Sequence, residues 1–279
     1  MTADLHCHTK MSDGSVGIDE IVLLAARRGI PVISVTDHDT FSGSVRAATI
    51  GKKYGVKVIP GVEFSAMDSS TGRKVHILCY FCKKPHRLEG LCKQMRDERN
   101  HVAAIMIQRV MKVYPISQEM VLRRAKGSTA LYKQHIMHAL IDAGYADGFY
   151  GDVYHRLFNS VNGLAYVPIH YPEVHEVIAR VHEADGIAVL AHPGEYDSYD
   201  LLQQLASDHE IEGVEVWHSN NREGDEQYFT KIAQEYGLIM TGGTDFHGMY
   251  RKKRLPLGTC GTTKAELEKL VQLGSHIGD

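Results

Sequence analysis

Two histidines one residue apart, His6 and His8, stand at the head of the chain, and an aspartate, Asp13, follows them in the stretch DLHCHTKMSDG. On an extended strand alternate side chains share a face, so His6 and His8 project together while Cys7 faces the other way. Two neighbouring imidazoles can chelate one divalent ion; taken alone, H-x-H fits a strand with two incidental histidines equally well. Groups of the same chemistry recur further on: His38 in TDHDT, Glu63 in GVEFS, His76 in KVHILCYF, His192 in AHPGE, and Asp245 and His247 in GGTDFHG. These nine groups exceed what one tetrahedral zinc uses, so two or three ions sharing a carboxylate are expected. Imidazole and carboxylate donors without thiolate suit manganese, iron or zinc and argue against calcium or redox copper. Such ion clusters hydrolyse: a bound water loses its proton near neutral pH and attacks in line while the ions absorb charge on a transferring phosphoryl group. Asp13, His38, His192 and His247 are expected to carry the catalysis. The sequence has no G-x-S-x-G and no Walker loop, so neither an activated serine nor a phosphate-cradling loop competes with this reading.

The elements that must position these groups are legible as seven apolar runs of strand length: ADLHCH, 31–37, 56–64, 74–81, 186–192, 213–219 and 238–247. Helical patterns lie between most of them, which implies a parallel sheet, rolled or open. One connection breaks the rhythm. The segment between Glu63 and His76 holds the turn residues Ser69 to Gly72 and is too short for a crossover helix, so a hairpin is expected there. It would bring His76 to the sheet end where Glu63 lies. Residues 85–164 carry helical periodicity and no strand signal, with helices expected near 117–126 and 132–143. The expected fold is therefore α/β, an irregular seven-stranded (β/α)7 barrel with an all-α inserted subdomain. Its parts are 1–84 (barrel, first part), 85–164 (insertion) and 165–279 (barrel, second part). In such a barrel the carboxyl ends of the strands gather the active site, and the nine groups fall there.

Bulk properties narrow the function. The chain has 279 residues, 43% hydrophobic and 23% charged, an ordinary globular composition. Its net charge of -3 gives no electrostatic case for a long phosphate backbone as main partner. There is neither a basic leader with an apolar stretch nor a run of 18 apolar residues, so a cytoplasmic protein that engages no membrane is expected. Five cysteines without framework spacing suit a reducing compartment. Cys79 and Cys82 are expected on opposite strand faces, not as a redox pair. Several of the 17 histidines, among them His101, His138, His175 and His182, fall singly on helical stretches as surface or packing residues.

Taken together and in order, DLHCHTKMSDG, VTDHDT, GVEFS, VHILCYF, LAHPG and GTDFHG resemble the polymerase and histidinol phosphatase (PHP) family across the whole barrel part of the chain. The resemblance implies a (β/α)7 barrel, a trinuclear metal site and phosphoesterase activity. Carried over position by position, it implies that His6, His8, Glu63 and Asp245 hold one ion. Glu63 would bridge to a second, held by His76 and His192, and Asp13, His38 and His247 would hold the third. The helical insert resembles the branch acting on nucleotides, including 3',5'-nucleoside bisphosphate phosphatases and 5'-to-3' exonucleases of short RNA. That branch has arginine-x-histidine near the phosphate site, where this chain has Lys133 and His135; lysine pairs with phosphate but lacks the bidentate fork.

The expected partner is thus a small phosphorylated substrate, a nucleotide or short RNA, with no obligate protein partner. Substrate contacts are expected from Lys133 and His135 and, after the sixth strand, from His218, Asn220 and Arg222. A basic lip is available from Arg251, Lys252, Lys253 and Arg254. Asp37 and Asp39 are candidates for orienting ligand histidines through their second ring nitrogen, or for capping and turn roles. His170 reads as a linker residue, and Trp217 as core. Two alternatives stay open: histidinol-phosphate or another small-molecule phosphatase, and a noncatalytic metal-binding interaction module.

Overall fold

The computed structural model describes residues 3–251 and 255–277. Seven strands form one sheet in sequence order, β1 (Ala3–Cys7), β2 (Val32–Val35), β3 (Lys57–Asp68), β4 (Arg73–Tyr80), β5 (Ile187–Leu190), β6 (Gly213–His218) and β7 (Ile239–Gly243). Bridges from Ala3 to Thr262 and from Cys7 to Phe246 bring the two edges together, so the sheet rolls into a nearly closed barrel. Helices α1 (Ile18–Arg27), α2 (Ser42–Tyr54), α7 (Val174–Glu183), α8 (Tyr199–Ser207), α9 (Asp225–Tyr236) and α10 (Lys264–His276) cover its outside or end.

The hairpin expected between Glu63 and His76 is present. Strands β3 and β4 pair antiparallel, with Ser65 opposite His76 and Glu63 opposite Leu78. β3 runs four residues past the expected end, because the pairing with β4 continues to Asp68 and Arg73. Alternation along β4 divides its side chains cleanly. Val75, Ile77 and Cys79 face outward into a core shared with α7, α8 and α9, while Leu78 and Tyr80 plug the inner floor. That register leaves Lys74 and His76 at the mouth.

Because β4 runs against its neighbours, it leaves the barrel at the end opposite the mouth, and a long element must carry the chain back. Helix α3 (Glu89–Met111), about 34 Å long at 1.5 Å per residue, does this. Its first turns pack Leu88 and Cys92 on the barrel, and its later turns contribute Val102, Met106 and Val110 to a second core. That core is completed by α4 (Gln118–Arg124), α5 (Lys133–Asp142), α6 (Asp152–Phe158) and Tyr250. No strand interrupts this stretch. The loop before α5 is tied to the loop after β1: the Thr129 N–H donates to Met11 O at 2.9 Å and Ser128 Oγ donates to Ser12 O at 2.7 Å.

Cys79 and Cys82 depart from the opposite-face expectation. The strand ends at Tyr80 and Phe81 turns into the left-handed region (φ +52°), so Cys82 leaves the strand and its thiol donates to Ala184 O at 3.4 Å. Among the described residues no helix is long and apolar enough to cross a membrane.

Candidate metal centre and active site

At the mouth, Glu63 of β3 sits 1% exposed amid imidazoles. Its Oε2 lies 3.3 Å from His6 Nε2, 3.1 Å from His8 Nε2 and 3.2 Å from His38 Nδ1. Its Oε1 lies 2.6 Å from His76 Nδ1 and 3.1 Å from His192 Nε2. Two further carboxylates flank this centre. Asp245 Oδ1 is 3.1 Å from His8 Nε2 and 3.3 Å from His247 Nδ1, and Asp13 Oδ1 is 3.2 Å from His247 Nε2. All nine residues singled out in the sequence therefore meet in one buried cluster, supplied by β1, its following loop, β3, β4 and the ends of β2, β5 and β7.

The donors divide into groups whose atoms lie within 4.8 Å of one another. One comprises His6, His8, Glu63 and Asp245; a second, His8, Asp13, His38 and His247; a third, His38, Glu63 and His76; and His192 joins His6 with Glu215, and Glu195 with Asp245, in two more. The fit to divalent ions can be tested on the imidazoles themselves. His6 Nε2, both ring nitrogens of His8, His38 Nδ1, His76 Nε2 and His192 Nδ1 are buried without a hydrogen-bond partner. Buried polar atoms left unpaired are costly and rare, and three of these, His6 Nε2, His8 Nε2 and His38 Nδ1, face Glu63 Oε2 within 3.3 Å, which fits a cation as the missing partner.

Electrostatics agree with that fit. Burial alone would raise Glu63, but His76, His38 and His6 hold its carboxyl well below its ordinary value. Burial likewise opposes the charge on Asp13, which His247 and His38 hold down, and on Asp245, which Arg251 and His247 hold down. The imidazoles respond unequally. Burial would lower His8, yet Asp245 and Glu63 push it up to about 10, whereas burial prevails at His76 and drives it down to about 3. Without ions the cluster thus balances its carboxylates by protonating some imidazoles and not others.

A second ring of carboxylates fixes the first. Glu215 of β6 accepts from the His6 ring at Nδ1 (3.1 Å) and from the His192 backbone N–H (3.0 Å), leaving His6 Nε2 to face the centre. His192 itself sits in the left-handed region (φ +26°), as does Asp245 (φ +50°), a strained backbone of the sort met at functional sites. Asp4 accepts from the N–H groups of Thr244 and Gly258 and so steadies the end of β7. Sequence reasoning missed both Asp4 and Glu215. Asp4 stood two residues before His6 on the same strand face, whereas Glu215 gave no such signal, since its alternation runs to Trp217 and not to His218.

Asp37 and Asp39 do not orient histidines. Asp37 accepts from Thr9 N–H, Thr9 Oγ1 and Ser12 Oγ, each at 2.7 Å, which orders the loop carrying Asp13. Asp39 binds the buried Arg99 of α3 at 3.0 Å and the Ser65 N–H at 3.2 Å. Both carboxylates are taken up by partners on the loop after β1, on β3 and on α3, which leaves neither for a ring nitrogen.

Above the cluster the helices after β4 enclose a cavity of about 400 Å³, lined by Lys74, Arg99, Lys133, Tyr150, Tyr196 and Arg251 among others. Lys133 and Asn220 reach this cavity, Asn220 donating to Glu195 at 3.0 Å. His218 lies beneath it, with Nε2 3.6 Å from Asp245. His135 is buried and accepts the Tyr132 N–H through Nδ1, so it caps its own helix instead of lining the cavity. Arg222 is exposed and paired with Asp197, away from the cavity, because the turn after β6 directs it outward. Of the basic lip, Arg251 binds Asp245, while Lys252, Lys253 and Arg254 lie outside the described residues. His170 is an exposed linker residue bonded to Glu98, and Trp217 is partly buried against the core with its N–H on Glu226.

Comparison with known proteins agrees with this geometry. The PHP domain family matches residues 4–229. A phosphoribosyl 1,2-cyclic phosphate 1,2-diphosphodiesterase from Eggerthella lenta is 36% identical over 90% of this chain and 95% of its own. A 3',5'-nucleoside bisphosphate phosphatase from Chromobacterium violaceum is 28% identical over 88% of this chain and 86% of its own. A solved structure from Bifidobacterium adolescentis, assigned as a metal-dependent phosphoesterase, superposes with a TM-score of 0.89 at 28% identity, covering 98% of this chain and 96% of that one. The buried imidazole and carboxylate cluster at the barrel mouth and the match along most of the chain lead to one conclusion: this protein belongs to the PHP domain family, and with it to the metal-dependent phosphoesterases.

Proposed function

We propose that the protein hydrolyses a phosphate ester on a small ribose compound that carries phosphate at two positions, using two or three divalent ions held at the barrel mouth. The observation that carries this reading is the three buried imidazole nitrogens without a hydrogen-bond partner, on His6, His8 and His38, that face Glu63 beneath a cavity whose lining includes Lys74, Arg99, Lys133 and Arg251. His6, His8, Glu63 and Asp245 would hold one ion, Glu63 with His76 and His192 a second, and Asp13, His38 and His247 a third. Manganese, iron and zinc all suit these donors. When bound, the ions supply an acidified water and neutralise charge on the phosphoryl oxygens.

The chain's own residues do the rest. Glu215 selects the His6 tautomer, Asp37 and Asp4 hold the loops bearing Asp13 and Asp245, and Arg251 restrains Asp245 from outside. Arg99, pinned by Asp39, presents a fixed guanidinium to the cavity wall. The substrate class rests on size and relatives: a cavity of about 400 Å³ fits a sugar phosphate or mononucleotide. Two of the related enzymes are named for a phosphoribosyl cyclic phosphate and a 3',5'-nucleoside bisphosphate.

The test is a panel assayed with manganese-, iron- or zinc-loaded protein. It comprises phosphoribosyl 1,2-cyclic phosphate, adenosine 3',5'-bisphosphate, short 5'-phosphorylated RNA and histidinol phosphate. Turnover of the first or second at least tenfold above the others is expected. Preference for histidinol phosphate or RNA would overturn the substrate class. Ion occupancy with no ester hydrolysed would favour the noncatalytic module.

A further inference from the structure

Most of the charges at the barrel mouth are matched. Arg99 is bound by Asp39, and Arg251 by Asp245 with Glu195 nearby. Two lysines facing the same cavity are not. Lys74 stands on β4 two residues before His76, and its ammonium lies over the rings of Tyr171 (5.5 Å) and Tyr196 (5.4 Å). Lys133 approaches from α5, with Nζ over Phe158 (5.8 Å) and Tyr166 (5.2 Å). Among the described residues neither makes an ion pair with a carboxylate.

Aromatic faces attract a cation without neutralising it. Burial, with the charge of Lys74 added, brings the Lys133 ammonium down to about 8, whereas burial at Lys74 is outweighed by Tyr196 and Tyr171, with Glu63 adding. Lys133 is also the first residue of α5, at whose start the His135 N–H donates to Tyr132 O and the helix dipole favours an anion near the first turn. Two ammonium groups without a carboxylate ion pair and a helix N-terminus border one cavity above the carboxylate-rich centre and make a receptor for a dianion.

We infer that Lys74 and Lys133 together receive the second phosphate of the substrate, the one that is not hydrolysed, and that Lys74 sets the preference for doubly over singly phosphorylated compounds. This rests on the phosphoesterase reading above and deepens it. Lys74 comes from the barrel and Lys133 from the helices over it, so the second phosphate would bind across that junction.

The test compares substrates that differ by the second phosphate alone: phosphoribosyl against ribose 1,2-cyclic phosphate, and adenosine 3',5'-bisphosphate against 3'- and 5'-AMP. The wild-type ratio of kcat/KM, doubly to singly phosphorylated, is expected to fall about ten- to a hundredfold in Lys74→Met, chiefly through KM, and to be largely kept in Lys74→Arg. An unchanged ratio in Lys74→Met, with the fold retained by circular dichroism, would overturn the inference. Calorimetric binding of ribose 5-phosphate to metal-stripped protein supplies a reading free of turnover. Weaker binding by Lys74→Met supports the subsite, and equal binding refutes it. Should the wild type hydrolyse no ester, the phosphoesterase reading falls while this calorimetry still decides the subsite.

Discussion

Five imidazoles turned toward one carboxylate make Glu63 the residue on which the centre depends. Glu63→Gln keeps the shape and removes the charge, so activity should fall by more than the roughly 10- to 100-fold typical of an outer partner, with the ion content measured by elemental analysis falling too. Glu215→Gln should fall within that 10- to 100-fold range, because it loosens the His6 tautomer without removing a donor. A Glu215→Gln enzyme with wild-type kcat and ion content would show that the outer carboxylate is inert. At this scale the nine inner groups were legible because their chemical type and their place at strand ends coincide. Glu215 and Asp4 were not, since what they do is set by partners 209 and 240 residues away. His135 misled for the opposite reason: its nearest partner is the backbone three residues before it.

Elements succeed or fail here by how closely they let backbones approach. A Cβ on Gly243 at the end of β7 would collide with the backbone and Cβ of His6, so Gly243→Ala should displace β1 from β7. Activity is expected to drop at least about tenfold, the size of effect that a small misplacement at a reacting centre produces, and stability by about 1–3 kcal/mol, measured by chemical denaturation. Helix α7 offers a pH test. His175 and His182 are raised by hydrogen bonds to Glu210 and Glu212, in the stretch before β6. Stability from a raised histidine is present below its unfolded value of about 6.5 and is lost as pH rises through the higher folded value. Glu210→Gln should therefore destabilise the protein at pH 6 and do little at pH 8.5, when unfolding midpoints are compared. The hairpin was legible because twelve residues with a turn signal cannot hold a crossover helix. The continuation of β3 to Asp68 was not, because it depends on a partner strand that the local pattern does not reveal.

For the molecule as a whole, the centre is both a reagent and a brace. Ions that bind only the folded chain at a thousand times their dissociation constant stabilise it by about 4 kcal/mol. Stripping them should lower Tm by about 10 °C without unfolding the protein at room temperature, and manganese or zinc should restore it. No change in Tm on chelation would mean that the cluster holds no ions. Seven strands and a helical stretch were readable from periodicity. How the helices close over the mouth was not, since that arises from the Ser128 and Thr129 ties to the loop after β1 and from Arg99 reaching Asp39.

The antiparallel course of β4 has one more effect. It sends the chain out at the far end, and every group expected to hold an ion lies either at or before His76 or at or after His192. Helices α3 to α6 therefore hold none of those groups: they shape which molecules are admitted to the hydrolytic hearth and leave its donors to the barrel.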